Sequence, residues 1–205
     1  MGFPFAFLRS PAWSEVEYWA LDLETSGLHS RKHQILSVGM VPIREGAIRW
    51  GENFYSLVRP SVWDDLAGDA IGVHQILPEE LREAPPLGDA IAEIAARLTS
   101  GTALLVHHAP LDIRFLRKAF RQTGRSWPSP PIVDTRVLVS RLEQRQQRLD
   151  PYAQALPRGL SDLRDAFGLP PFDPHHALAD ALATAELFLA IRARLSAKTL
   201  RDVTC

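Results

Sequence analysis

Residues 18–28 read YWALDLETSGL, and the way their side chains alternate decides how the rest of the chain is read. Trp19, Leu21 and Leu23 alternate with Tyr18, Ala20, Asp22 and Glu24, the period of two expected of a strand. Asp22 and Glu24 therefore lie on one face of an otherwise apolar strand. Two carboxylates that close, at a buried strand end, raise each other's pKa, and one takes up a proton unless a cation shares the site. The segment also reads as a strand end fraying into solvent through Thr25, Ser26 and Gly27, so the pair alone decides nothing. Two further segments do.

The chain around it has 205 residues, 46% hydrophobic and 23% charged, the ordinary profile of one soluble globular domain. Its single cysteine, Cys205, is the last residue, so no internal disulfide forms and a cytoplasmic setting is expected. No stretch reaches membrane-spanning length, and no membrane partner is expected. The opening MGFPFAFLRSPAW is apolar, but it lacks a basic leading segment and is interrupted by Pro4. Residues 1–14 are expected to be a loosely ordered lead, 15–196 the domain and 197–205 a tail. A formal net charge of -1 gives no bulk attraction to nucleic acid, so such binding has to come from a local patch or bound metal.

Outward from the first strand, strand-like and helix-like signals alternate, which implies an α/β fold. Residues 34–43 (QILSVGMVPI) and 47–58 (AIRWGENFYSLV) read as two strands joined by a hairpin turn at Glu45-Gly46. Ile91, Ile94 and Leu98 recur at helical spacing, and 102–106 is a short apolar run fit for a buried strand. That strand leads into HHAPLD, where Pro110 suits the first turn of a helix with Ile113, Leu116 and Phe120 on its apolar face. Residues 132–134 form a last strand. Shorter helices are expected over 135–142 and 159–167, and a final helix over about 176–195.

In that final helix Leu178, Leu182, Ala185 and Leu189 make one apolar stripe, while Thr184, Leu187 and Ile191 occupy the opposite side, so it is expected to be buried nearly all round. Asp180 sits on the second side with no Lys or Arg three or four residues away, and a buried carboxylate without a partner is costly. A partly exposed helix edge is the alternative. Asp112 falls in the first turn of its helix, where the helix dipole favours a carboxylate whatever its role. Its place just past the end of a buried strand is where open α/β sheets build sites, and Asp22 and Glu24 end their strand on the same terms.

DLETSGL at 22–28, VHHAPLD at 106–112 and HHALADA at 175–181 together resemble the three motifs of the DEDDh 3′-to-5′ exonucleases, in order. Relatives in that family include the proofreading epsilon subunit of bacterial DNA polymerase III. VHQILPEEL at 73–81 and VDTRVL at 133–138 extend the resemblance over roughly residues 16–195. It implies an RNase H-like fold, a mixed five-stranded sheet flanked by helices. It also implies Asp22, Glu24, Asp112 and Asp180 as ligands of two Mg2+ or Mn2+ ions, and His175 as general base. Thr25, Leu28, His74 and His108 are the implied substrate contacts.

The chemistry suits these residue types. Magnesium and manganese prefer oxygen ligands, and a pair of ions activates water and stabilises the leaving 3′-oxygen. A neutral histidine accepts the proton of the attacking water. His175 lies five residues before Asp180, about 140° round a regular helix, so both face one site only if His175 stands outside the helix. Asp173-Pro174 would instead cap the helix and draw His175 in, and His176 is the alternative base. Two positions of the second motif depart from the family pattern: His108 and Leu111 stand where asparagine and phenylalanine are usual. Gln75 replaces a frequent glycine. Arg114, Arg117, Lys118, Arg121 and Arg125, and separately Arg136, Arg141, Arg145 and Arg148, form basic runs that either track phosphates or make solvated helix faces.

The expected function is release of nucleoside 5′-monophosphates from the 3′ end of single-stranded or frayed DNA, in proofreading or repair, with a polymerase or repair partner. The alternatives are a 3′-to-5′ exoribonuclease like RNase T or oligoribonuclease, and a non-catalytic nucleic-acid or polymerase-binding module of the same fold.

Overall fold

The structure, a computed structural model, describes residues 10–63 and 76–205. His74 and Gln75 lie outside the described residues. Strand β1 (Glu17–Thr25) sits at the centre of one mixed sheet. On one side it pairs antiparallel with β2 (Ile35–Arg44), and on the other it pairs parallel with β5 (Thr102–Val106), which pairs parallel with β6 (Ile132–Asp134). The far edge of β2 carries β3 (Ala47–Ile48) and β4 (Phe54–Leu57). The described residues thus form six strands rather than five. The stretch expected as one strand over 47–58 is broken by a 3-10 turn at Trp50–Glu52, and its two halves pair with different parts of β2. The hairpin at Glu45-Gly46 stands as expected, with both residues at positive φ (53° and 74°), the two-residue turn whose twist matches its strands.

Helices α1 (Pro78–Glu83), α2 (Leu87–Arg97), α3 (Ala109–Gln122), α4 (Thr135–Leu149), α5 (Leu160–Ala166), α6 (Ala177–Leu195) and α7 (Leu200–Val203) complete the described chain. The alternation of β1 divides the core in two. Trp19, Leu21 and Leu23 pack with Ile91 and Ile94 of α2 and with Phe115 and Leu116 of α3. Tyr18 and Ala20 pack on the other face with Leu138 and Leu142 of α4 and with Leu187, Phe188 and Ile191 of α6. Each large side chain buried this way contributes roughly 1.5–3 kcal/mol. Ala197 and Val203 join this second layer, and the Cys205 amide donates to the Ile132 carbonyl, so residues 197–205 are held against the sheet.

Two helices differ from the expectation. Helix α4 continues past Leu142 to Leu149, because apolar periodicity stops before helix formation does: the second half, EQRQQRL, is polar but consists of good helix formers. In α6 the stripe of Leu178, Leu182 and Leu189 is only partly buried, and the fully buried side is the one carrying Ala177, Ala181, Ala185 and Phe188. Small residues face the sheet at the start of that helix because the backbone of β2 lies directly against it.

Candidate active site

Four elements bring the candidate residues to the carboxyl ends of β1 and β5. Along β1, Asp22 and Glu24 continue the face of Tyr18 and Ala20, the face covered by α6. The rings of Tyr18 and Phe188 meet at 5.0 Å. From Phe188 back to Asp180 is eight helical residues, a rise of about 12 Å, and from Tyr18 to Asp22 is four strand residues, about 13 Å. One aromatic contact therefore sets Asp180 opposite Asp22. The close approach is permitted by Gly39, the β2 partner of Asp22. A Cβ at Gly39 would lie 2.2 Å from the carbonyl carbon and oxygen of Ala177 and 2.3 Å from the Leu178 nitrogen.

Asp22, Glu24 and Asp180 each offer an oxygen to one group whose members lie within 4.8 Å of one another. Asp112 stands outside this tightest group. It is buried in the first turn of α3, which follows β5 beside β1, and its charge acts directly on Asp22. Burial, followed by the charges of Asp112, Asp180 and Glu24, pushes the Asp22 carboxyl well above the usual carboxylate range. Burial and then Asp180 raise Glu24 to about 7. Burial raises Asp112 to about 8, with Asp134 and Glu24 adding to it and the Asp112 amide opposing it. Asp180 is also raised, chiefly by burial, although the His175 amide donates to its Oδ2 at 2.9 Å. Among the described residues, no Lys or Arg is named among the groups that act on Asp22, Glu24 or Asp112. A cluster of buried and half-buried carboxylates without a compensating cation among the described residues, all oxygen donors, fits a hard divalent cation.

His175 lies outside α6, exposed, with a left-handed backbone (φ 69°), and its amide bond to Asp180 ties the loop to the carboxylate cluster. Asp173-Pro174 does not cap the helix; His176 occupies the N-cap position before the first residue, Ala177, and makes no side-chain capping bond. The His176 ring is stacked on Tyr55 of β4 at 4.6 Å and 22°. The two histidines thus have different situations, one ring held by an aromatic partner and the other in the exposed loop.

Among the substrate contacts, Thr25 turns its hydroxyl inward, donating from Oγ1 to the Gly27 carbonyl at 3.0 Å. Leu28 projects into solvent, 74% exposed. His108 precedes α3 with a left-handed backbone (φ 77°), and its Nδ1 lies 2.7 Å from Arg136 Nη1. That backbone admits histidine as readily as asparagine: Asn, Asp and His are the non-glycine residues enriched at positive φ.

Asp134 was not expected at the site. Its buried carboxylate accepts from the amides of His108 (3.2 Å), Ala109 (2.8 Å) and Arg136 (2.8 Å), so one side chain caps both α3 and α4. An aspartate immediately before a helical run is an N-cap signal in the sequence. Its second duty, fixing the turn that carries Asp112, depends on β6 lying beside β5. The second basic run is largely committed elsewhere: Arg136 to His108, Arg141 to the carbonyls of Asp202 and Thr204, and Arg145 to that of Leu195.

The sequence profile of the RNase T exonuclease family matches residues 19–188. A DNA polymerase III subunit epsilon-like protein of Rhodobacter capsulatus is 31% identical over 192 residues, covering 91% of this chain and 25% of that protein. A PolC-type DNA polymerase III of Thermotoga petrophila is 28% identical over 179 residues, 87% of this chain and 12% of the relative. This chain therefore spans a quarter or less of either relative. Among solved structures, E. coli ExoI in a complex with ssDNA superimposes with a TM-score of 0.73 at 21% identity, covering 88% of this chain and 41% of ExoI. Cell-death related nuclease 4 superimposes with 0.74 at 14% identity, covering 91% and 66%. Both share its fold.

Proposed function

The chain belongs to the RNase T exonuclease family, and on that premise we propose that it is a metal-dependent 3′-to-5′ exonuclease acting on single-stranded or frayed DNA. The observation that carries this reading is the convergence of Asp22, Glu24 and Asp180 within 4.8 Å, with buried Asp112 beside them and no cation to balance them. Asp22, Glu24, Asp112 and Asp180 would hold two Mg2+ or Mn2+ ions, which, when bound, polarise the scissile phosphate and the attacking water and stabilise the departing 3′-oxygen.

The chain's own residues do the rest. The four carboxylates would place those ions, and the exposed loop after Pro174 presents His175 to water. Neutral His175 takes a proton from the water as its oxygen bonds to phosphorus and the bond to the 3′-oxygen breaks. The departing 3′-oxygen takes a proton from solvent water, so the products are a nucleoside 5′-monophosphate and a strand shortened by one residue with a new 3′-hydroxyl. Tyr55, by stacking on His176, holds that neighbour away from the role. DNA is favoured over RNA as substrate because relatives that match over most of this chain are named for DNA polymerase III. A polymerase or repair partner is part of the same proposal. No helix among the described residues is long and apolar enough to cross a membrane.

The test uses 5′-labelled linear DNA, linear RNA of the same sequence and circular single-stranded DNA, each with manganese. A descending ladder from linear DNA with intact circles is expected. Cut circles would make the protein an endonuclease, faster RNA cleavage would transfer the reading to an exoribonuclease, and no cleavage would leave a binding module.

A further inference from the structure

The cations of this chain are not evenly disposed. Arg44, Arg97, Arg158 and Arg164 are each paired with a glutamate. Five others gather without such partners along one open groove of about 1030 Å³ between the β1–β2 loop and α3. Arg31 and Lys32 stand on the loop wall, and Arg114, Arg117 and Arg121 on the helix wall. All five are exposed, and among the described residues none of their side chains forms an ion pair or a hydrogen bond. Among the described residues, no carboxylate lines the groove. Two facing cationic walls repel each other, an arrangement that a polyanion between them relieves.

The groove also has a direction. Arg114, Arg117 and Arg121 recur at three- and four-residue spacing, so they form one stripe along α3, rising about 10 Å. Arg114 is two residues beyond Asp112 on the same helix. The loop wall begins with exposed Leu28, four residues beyond Glu24. Both walls therefore continue within a few residues into the elements that carry the carboxylates, with the arginine stripe on the exposed face of α3, Arg114 standing about 200° round the helix from buried Asp112, and the stripe leads away from the site.

We propose that this groove holds the sugar-phosphate backbone of the single strand upstream of its 3′ terminus, leading the strand into the carboxylate site. The assignment rests on the exonuclease reading. The stripe presents three cations in a row, so the groove governs strand length dependence and leaves the terminal linkage to the carboxylate site. Lys118 lines the same groove and donates to the His33 carbonyl at 2.9 Å, which ties α3 to the loop wall.

The experiment measures binding of a 5′-fluorescent fifteen-residue single strand in calcium, across a salt series, to the unaltered protein and to the triple variant Arg114→Gln, Arg117→Gln, Arg121→Gln. Each single-strand phosphate contact contributes about 0.7 to the slope of log affinity against log salt, so three lost contacts lower the slope by about 2 and weaken binding about a hundredfold at 0.1 M salt. The preference of the unaltered enzyme for the fifteen-residue strand over a dinucleotide, read as the ratio of KM values with manganese, collapses in the triple variant. The double variant Arg148→Gln, Arg201→Gln, which removes charge outside the groove, retains the unaltered affinity. An unchanged slope and Kd in the triple variant would overturn the groove, as would an equal loss in the double variant. Failure of the exonuclease reading is distinct: the unaltered protein would then not hydrolyse even the dinucleotide.

Discussion

Adding one methyl group at Gly39 tests whether backbone contact between β2 and α6 builds the site. In Gly39→Ala the new Cβ meets the Ala177 carbonyl at 2.2 Å and the Leu178 nitrogen at 2.3 Å. An ordinary carbon contact begins at about 3.5 Å, so the first turn of α6 has to retreat by about 1.3 Å. Both sides of the clash are backbone, so no rotamer change relieves it, and the cost falls at the upper end of the 1–3 kcal/mol usual for overpacking, about 3 kcal/mol. For a domain of this size that lowers Tm by about 6–12 °C. The same retreat carries Asp180 away from Asp22 and Glu24, and a displacement of about 1 Å at a reacting centre costs about a hundredfold in rate. Thermal melting in chelator and in manganese, with kcat on a labelled single strand, reads both effects. Gly88→Ala is the control, because a Cβ there meets nothing within 4 Å. Ala177→Gly, added to Gly39→Ala, gives no rescue, since the contact is with the Ala177 backbone. A Gly39→Ala protein that melts within 1 °C of the parent and keeps its manganese response would refute the reasoning.

The raised carboxylates also make stability depend on pH. Glu24 at about 7 and Asp112 at about 8 lie above their unfolded values, so their favourable contribution is complete below about pH 4 and is lost as pH rises through 7 and 8. In chelator the protein therefore loses Tm from pH 5 to pH 8.5, and manganese raises Tm more at pH 8.5 than at pH 5; melting curves over that range check both. Asp180→Asn melts higher than the parent in chelator but loses most of the manganese response, which in the parent is about 5–10 °C for a cation at a hundred times its Kd. His175→Ala loses most turnover and keeps the manganese rise in Tm, whereas His176→Ala retains turnover within about tenfold; the reverse order in steady-state assays would exchange their roles. Asp134→Ala leaves three amides without their acceptor and destabilises by about 2–4 kcal/mol in denaturant titration, with weaker metal binding because the turn carrying Asp112 loosens.

Much of the fold was legible because its signals are local. The alternation around Asp22 and Glu24 gives β1 and the face each residue takes, Glu45-Gly46 gives the hairpin, and the apolar run before HHAPLD gives β5. The failures have equally local causes. A 3-10 turn at Trp50–Glu52 breaks an otherwise strand-like pattern without a proline to announce it. The polar half of α4 carries no apolar period, because its main inward anchor is Glu143, buried and bonded to Arg158 and to the Leu156 amide rather than packed against hydrophobes. The leucine stripe of α6 is the more apolar face on paper, yet alanines occupy the sheet side because Gly39 brings the two backbones into contact.

At the site, sequence identifies the groups that carry charge, while the residues that position them become visible only in three dimensions. Asp180 was marked by a lack of nearby cations along its own helix, and the structure extends that lack to the groups acting on Asp22, Glu24 and Asp112. Gly39, Tyr55 and Asp134 carry no comparable mark, since each acts through a partner far away in sequence: Ala177, His176 and the His108–Ala109 amides. These three contacts connect β2, β4 and β6 to the segments bearing Asp180, His175 and Asp112. The central sheet therefore sets the spacing of the carboxylates from both flanks. Repulsion among those carboxylates acts against the same contacts, so a divalent cation that relieves it should tighten α6 and α3 on the sheet together, making metal binding and helix docking one equilibrium.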